Sequence, residues 1–300
     1  MFSVIKTKKI WFSFSGLLFV LSVAAVAIWG FKYGIDFTGG SLIEFSATGT
    51  RHEATVVGNA LEGVLGEKPH AQQLGSNSYI LRMKFIDEAK HQEVLEAIKK
   101  IKDIGEIREE RFETVGPTVS SELKSRAIWS MFAVLGAIII YIAWAFREVS
   151  YPLAAWKFGV VAVAALLHDV FIPAGIFAVL GHFKGYEVDT LFVTAMLTII
   201  GFSVHDTIVT FDRVREHLRQ TPKAEFAGLV DKSVSETLGR SINTSLTVLL
   251  VLLAVYLFGG ESIKQFNLVL IIGVIAGTYS SIFFACPLLV VWNNLARSGK

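Results

Sequence analysis

The sequence predicts an α-helical membrane protein of six spans, with a small α+β domain inserted between the first span and the second. Three observations carry that reading. Hydrophobic residues make up 53% of the 300 and charged residues only 18%, with a mean hydropathy of +0.54, far from the balance of a soluble domain. Six apolar runs come near the roughly 20 residues that a helix needs to cross the hydrocarbon of a bilayer. A single long polar stretch, 31–126, remains, and its apolar residues follow strand and helix periods.

The spans fall at 10–30, 128–146, 153–181, 191–211, 242–258 and 266–292. Lys6, Lys8 and Lys9 precede the first and hold the amino terminus in the cytoplasm by the positive-inside rule. Ala25-Val26-Ala27 fits a signal-peptidase site, but the run is longer than a leader's core and five spans follow, so it reads as a retained helix. Residues 31–126 then lie outside. Within them a strand at 41–47, a helix at 53–65, a strand near 71–74, a turn at 75–78, a strand at 79–85, a helix opened by Asp87 and a strand at 106–115 give the order βαββαβ, the ferredoxin-like pattern. Three segments follow: 1–30 as amino terminus and first span, 31–126 as outer domain, and 127–300 as five spans with a cytoplasmic carboxyl terminus.

Short inner loops are expected at 147–152 and 212–241. The second carries Arg213, Arg215, Arg219, Lys223, Lys232 and Arg240, whereas the outer loops near 182–190 and 259–265 carry only Lys184 and Lys264 beside Glu187, Asp189 and Glu261. This bias agrees with both termini inside. The formal charge of +2 argues against a nucleic-acid partner. One cysteine, Cys286, permits neither an intrachain disulfide nor a multi-cysteine metal site. No G-x-S-x-G, P-loop or H-E-x-x-H motif is present, so neither a cofactor nor covalent catalysis is expected.

The chemistry concentrates where ionisable groups enter apolar runs, because a charge there is expensive and normally faces a bundle interior or water. The third span holds His168 and Asp169, and Pro173 removes the backbone donor that the Asp169 carbonyl would use. The fourth ends in His205 and Asp206, followed by Asp212, Arg213 and Arg215, which read as inner-interface anchors. Each buried pair can equally be a hydrogen-bonded packing element. Arg240 opens the fifth span, where a positive-inside anchor is the plain reading. Asn243, Thr244 and Thr247 can bond across helices or line a water path, and Gly273 and Gly277 have close-packing spacing. Around the domain, Gly39-Gly40 reads as a tight turn feeding an edge strand, or as a junction transmitting movement between membrane and domain, and Gly116-Pro117 marks the return to the bilayer.

Taken together, GIDFTGG at 34–40, VGPTVSSEL at 115–123, HD at 168–169, GFSVHDTIVTFDRVRE at 201–216 and GRSINTS at 239–245 resemble the SecD/SecF family of bacterial protein-export subunits, in order and over nearly the whole chain. The resemblance implies an RND-type membrane domain in the bacterial inner membrane, in contact with membrane lipid. It implies SecD, the SecYEG translocon and YajC as partners, exported polypeptides as substrate, and the proton-motive force as energy source. On it, Asp206 is the proton-carrying acid, and Arg240 pairs with it to gate release. Asp169, His168 and His205 accompany them, His205 standing where the family usually has asparagine. Gly34, Asp36, Gly39, Gly40, Gly116 and Pro117 form the structural motif at the domain boundary. Two other readings stay open: a small-molecule exporter of RND type acting alone, which would need a capacious outer pocket, and a passive scaffold subunit in which the buried acids only pack.

Overall fold

The computed structural model describes residues 3–74, 77–147, 155–221 and 224–298. The predicted loop positions 148–152, the turn residues 75 and 76 and Lys223 lie outside the described residues. In chain order the helices are α1 (Lys8–Trp29), α2 (Ile35–Thr38), α3 (Ala54–Leu65), α4 (Glu88–Lys99), α5 (Pro117–Ala145), α6 (Ala155–Lys184), α7 (Thr190–Gln220), α8 (Phe226–Phe258), α9 (Glu261–Ser280) and α10 (Cys286–Ser298), with a π turn over Ser281–Ala285; the strands are β1 (Gly40–Ala47), β2 (His70–Leu74), β3 (Ser78–Met83) and β4 (Ile107–Val115). Among the described residues six helical rods are long and apolar enough to cross a membrane, α9, the π turn and α10 forming one of them. The chain is a multi-pass membrane protein with a small antiparallel sheet. It divides into a sheet unit, Lys32–Ile128 with Glu187–Thr190, and a helical unit made of the rest.

In the sheet unit the strand order is β2-β3-β1-β4 with every pair antiparallel, which is two interlocked split βαβ units. Alternation sends Ile43, Phe45 and Ala47 of β1 to one face, where they pack with Tyr79, Leu81 and Met83 of β3, Val57 and Leu61 of α3, and Val94, Leu95 and Ile98 of α4. The i, i+4 spacing of Val57 with Leu61 and of Val94 with Ile98 turns one stripe of each helix onto the sheet. Asp87 caps α4, its carboxylate accepting from the Lys90 amide at 2.9 Å. On the opposite face the same alternation places Glu44 across from Arg111, and Leu42 across from Arg82.

One expectation fails here. The strand that follows Gly39-Gly40 is not an edge strand: β1 lies between β3 and β4, because the long β4 returns beside it from Gly40↔Val115 to Ala47↔Ile107. The tight turn itself is real, with φ of 73° at Gly39 and 128° at Gly40. A side chain at Gly40 would put its Cβ 2.6 Å from the Met83 carbonyl oxygen. Gly40→Ala is therefore expected to destabilise the sheet unit by about 2 kcal/mol or more, visible as a lower midpoint in thermal unfolding of the detergent-solubilised chain. An unchanged midpoint would contradict the turn as described.

The helical unit buries α6, α7 and the α9–α10 rod, while α1, α5 and α8 carry exposed apolar faces. Close packing uses small residues. A Cβ on Gly175 of α6 would meet the Ser22 backbone of α1 at 2.4 Å, and Cβ atoms on Gly273 and Gly277 of α9 would meet Ile199 at 2.1 Å and Ser203 at 2.9 Å on α7.

The predicted inner loop 212–241 is also corrected. It is almost wholly helix: α7 runs on to Gln220 and α8 begins at Phe226. Phe211, Val214 and Leu218 of α7 join Phe226, Leu229, Val230 and Val234 of α8 in one apolar core with Phe146, Phe158, Ala285 and Leu289. Charges hid this stripe in the sequence. Arg213 and His217 of α7 converge on Glu236 of α8 at 2.5 and 2.9 Å. The amino-terminal segment docks at the same end, where Val4 and Ile5 are buried and the Ile5 amide donates to Asp231 at 3.0 Å.

Candidate functional site

Two acids are buried among the middle helices. Asp169 of α6 is fully buried. Its Oδ2 accepts from the hydroxyls of Ser203 on α7 at 2.5 Å and Ser280 on α9 at 2.7 Å. Its Oδ1 lies 3.0 Å from Nδ1 of His168, whose ring stacks on Phe284 with centroids 5.2 Å apart and whose Nε2 is buried without a hydrogen-bond partner among the described residues. Three helices thus meet on one carboxyl group. Pro173 lies inside α6, so the Asp169 carbonyl lacks its helical donor there.

Asp206 of α7 is buried beside Ser241 of α8 and Thr278 of α9. Its Oδ2 has no hydrogen-bond partner among the described residues, an arrangement that native structures seldom leave without a purpose. Around the two acids runs a seam of hydroxyls. Thr207 and Ser281 share a hydrogen bond of 2.8 Å, Ser281 also donates to the Gly277 carbonyl at 2.8 Å, and Ser245 and Thr278 are 2.5 Å apart. The π turn begins at Ser281, and such turns are frequent at functional sites.

The remaining expected residues of the membrane helices face outward. Arg240 and His205 are exposed on this chain, and no ion pair joins Arg240 to Asp206 among the described residues. Asn243, Thr244 and Thr247 are exposed as well, so they line no internal path in this chain. The hydroxyl partners Ser203, Ser241, Thr278, Ser280 and Ser281 were not singled out from the sequence, although the run Thr278-Tyr279-Ser280-Ser281 interrupts an apolar span.

The motif glycines all lie in the sheet unit. Gly39 lies against Pro117 Cα, Val115 O and Ser120 Oγ, a Cβ there coming within 3.4–3.6 Å of them, and Pro117 starts α5, where its missing N–H would have had no partner. Gly116 adjoins this turn and its carbonyl accepts from the Ser120 amide. Gly34 precedes α2, and its amide donates to the Val188 carbonyl at 2.9 Å while the Val188 amide donates to the Lys32 carbonyl at 2.8 Å. Asp36 accepts from the Thr190 amide at 2.9 Å and from the Thr190 hydroxyl. Glu187 is buried, with Oε2 2.7 Å from Arg82 Nε and Oε1 3.8 Å from Lys32 Nζ. Burial pushes the Glu187 carboxyl up and the Arg82 guanidinium down, each partly offset by the other's charge.

Lys32 also donates to Nε2 of His70 at 3.0 Å, a bond that needs the neutral imidazole. Burial and then the charges of Lys32 and Arg82 hold His70 below its ordinary 6.5. A depressed pKa contributes stability that is present above 6.5 and lost as pH falls through the folded value. We expect the His70 ring resonances to titrate with a midpoint under 6.5, and His70→Gln to remove that acid-side loss; a midpoint at or above 6.5 would contradict the contact.

The family model described as protein export membrane protein SecD/SecF, C-terminal, matches residues 94–295, which contain both buried acids. The chain belongs to the SecD/SecF family. The SecD/SecF GG motif matches residues 27–50 and covers Gly34, Asp36, Gly39 and Gly40. Among SecD/SecF relatives, the protein translocase subunit SecF of Thermobaculum terrenum is 40% identical over 98% of this chain and 95% of its own length. That of Anaerolinea thermophila is 38% identical over 98% and 95%. The crystal structure of SecDF, a translocon-associated membrane protein from Thermus thermophilus, superposes with a TM-score of 0.84 at 32% identity. This SecD/SecF chain is covered to 98% in that match and spans 39% of the SecDF chain.

Proposed function

We propose that the chain is an accessory subunit of the Sec translocase that couples proton movement to polypeptide export, acting with a SecD partner alongside SecYEG in the bacterial inner membrane, both termini cytoplasmic. The observation that carries the coupling is the orphaned Oδ2 of Asp206, a buried carboxyl oxygen at which a proton can reside. Asp169, with His168, Ser203 and Ser280, is the second buried acid and supports exchange through the hydroxyl seam. Arg240 and His205 act at the exposed face, where a second, SecD-type half would complete the site.

The SecD partner is supported by the similarity to SecDF, a single chain of which this one spans 39%. The residues need no covalent chemistry for this role. A direct test uses inverted membrane vesicles with and without the chain, following export after ATP-dependent steps are complete, in the presence or absence of an ionophore. The gradient-dependent increment should require the chain. Equal increments with and without it would remove the reading.

A further inference from the structure

The segment between α6 and α7 is not a free loop. Residues 187–190 belong to the sheet unit, held by a parallel bridge of Tyr33 with Val188, by the buried Glu187 between Arg82 and Lys32, and by Asp36 on the first residue of α7. That helix continues without interruption to Asp206. A carboxylate at a helix amino terminus is favourably placed, and a buried ion pair whose partners are removed singly is strongly weakened. The strap therefore fixes the start of the helix that carries Asp206 to the same sheet that begins at the Gly39-Gly40 turn.

We propose that Asp36, Glu187 and Arg82 are coupling residues, which fasten the first residue of α7 to the sheet so that displacement of the Asp206 helix is delivered to the sheet unit. The inference rests on the proton-coupled reading above and adds the route of transmission. Proton exchange needs the proton site described above but not the strap, whereas export needs both.

The test uses the full chain with its SecD partner in inverted vesicles, reading gradient-driven export and the rate at which the chain dissipates an imposed proton gradient. Asp36→Asn combined with Glu187→Gln should lose the gradient-driven increment of export and keep the dissipation rate. Export retained in full, or dissipation lost together with export, would overturn the proposal. A covalent strap guards against misfolding as the explanation. A Cβ on Gly34 would lie 3.4 Å from Asp189 Cβ, just under the roughly 3.5–4.5 Å that a disulfide spans, so a small backbone shift lets it close, and the chain's own cysteine is buried. Gly34→Cys with Asp189→Cys, oxidised in the doubly substituted background, should restore export, and a reductant should abolish it again. If the oxidised pair blocks export in the otherwise wild-type chain, the strap has to open and the proposal fails. Asp206→Asn run alongside separates the two claims. Its retention of both signals sinks the proton reading, while its loss of both, beside strap variants that behave as wild type, sinks the strap alone.

Discussion

Asp206→Asn is expected to reduce gradient-driven export to the rate seen without a gradient, while ATP-dependent export and the amount of chain in the membrane stay as in the wild type. Asparagine keeps the size of the side chain and its neighbours Ser241 and Thr278, so packing is conserved and only the exchangeable proton is lost. The membrane potential offers about 2.3 kcal/mol per charge for each 100 mV, enough to bias a two-state element more than about tenfold. A loss of at least about tenfold in the gradient-dependent increment is the corresponding expectation. Asp206→Glu, which retains a proton carrier, should recover part of it. Undiminished export by the asparagine variant would take Asp206 out of the mechanism.

Asp169→Leu is expected to lower the stability of the helical unit by about 3 kcal/mol. The hydroxyls of Ser203 and Ser280 and the ring of His168 all converge on this carboxyl group from α7, α9 and α6, and a leucine leaves them buried without it. Asp169→Asn keeps an acceptor oxygen and should cost about 1 kcal/mol. By contrast Arg240→Ala, at an exposed position, should change stability by less than about 0.5 kcal/mol while still affecting export. Thermal unfolding of the purified chain in detergent separates the three; wild-type stability in the leucine variant would show that the convergence on Asp169 does not hold the helices together.

What the sequence made legible follows from what has a period or a length. The six spans stand out because a bilayer sets their length, and the βαββαβ order because helix and strand periods alternate between turn residues. Asp169 and Asp206 stand out because an acid in an apolar run is rare. The helical character of 212–241 did not, since Arg213, Glu216, Lys232 and Glu236 surround the stripe of Val214, Leu218, Val230 and Val234 that forms the core. The place of β1 inside the sheet depends on β4 returning beside it 60 to 75 residues later, which no local window contains. Ser203 and Ser280 carry no signal of their own, because a serine in a membrane helix is inexpensive and only the fold brings the two to one carboxyl group. Nor does 187–190, a segment too short for any period to emerge, whose part in the sheet unit depends on Tyr33, Arg82 and Asp36 far away in the chain.

The π turn at Ser281–Ala285 makes the last span a helix in two phases. An i→i+5 turn holds one residue more than the α-turn it replaces, so everything after it is displaced by one position, about 100° around the axis. Upstream of the turn Ser280 points to Asp169, and downstream Leu289 and Val290 point into the apolar core. Each set has its own register, so a one-residue deletion inside the turn would leave the contact with Asp169 in place and rotate the core residues out of alignment. The extra residue of the turn is accordingly what lets one span hold Ser280 against Asp169 and Leu289 and Val290 in the core at the same time.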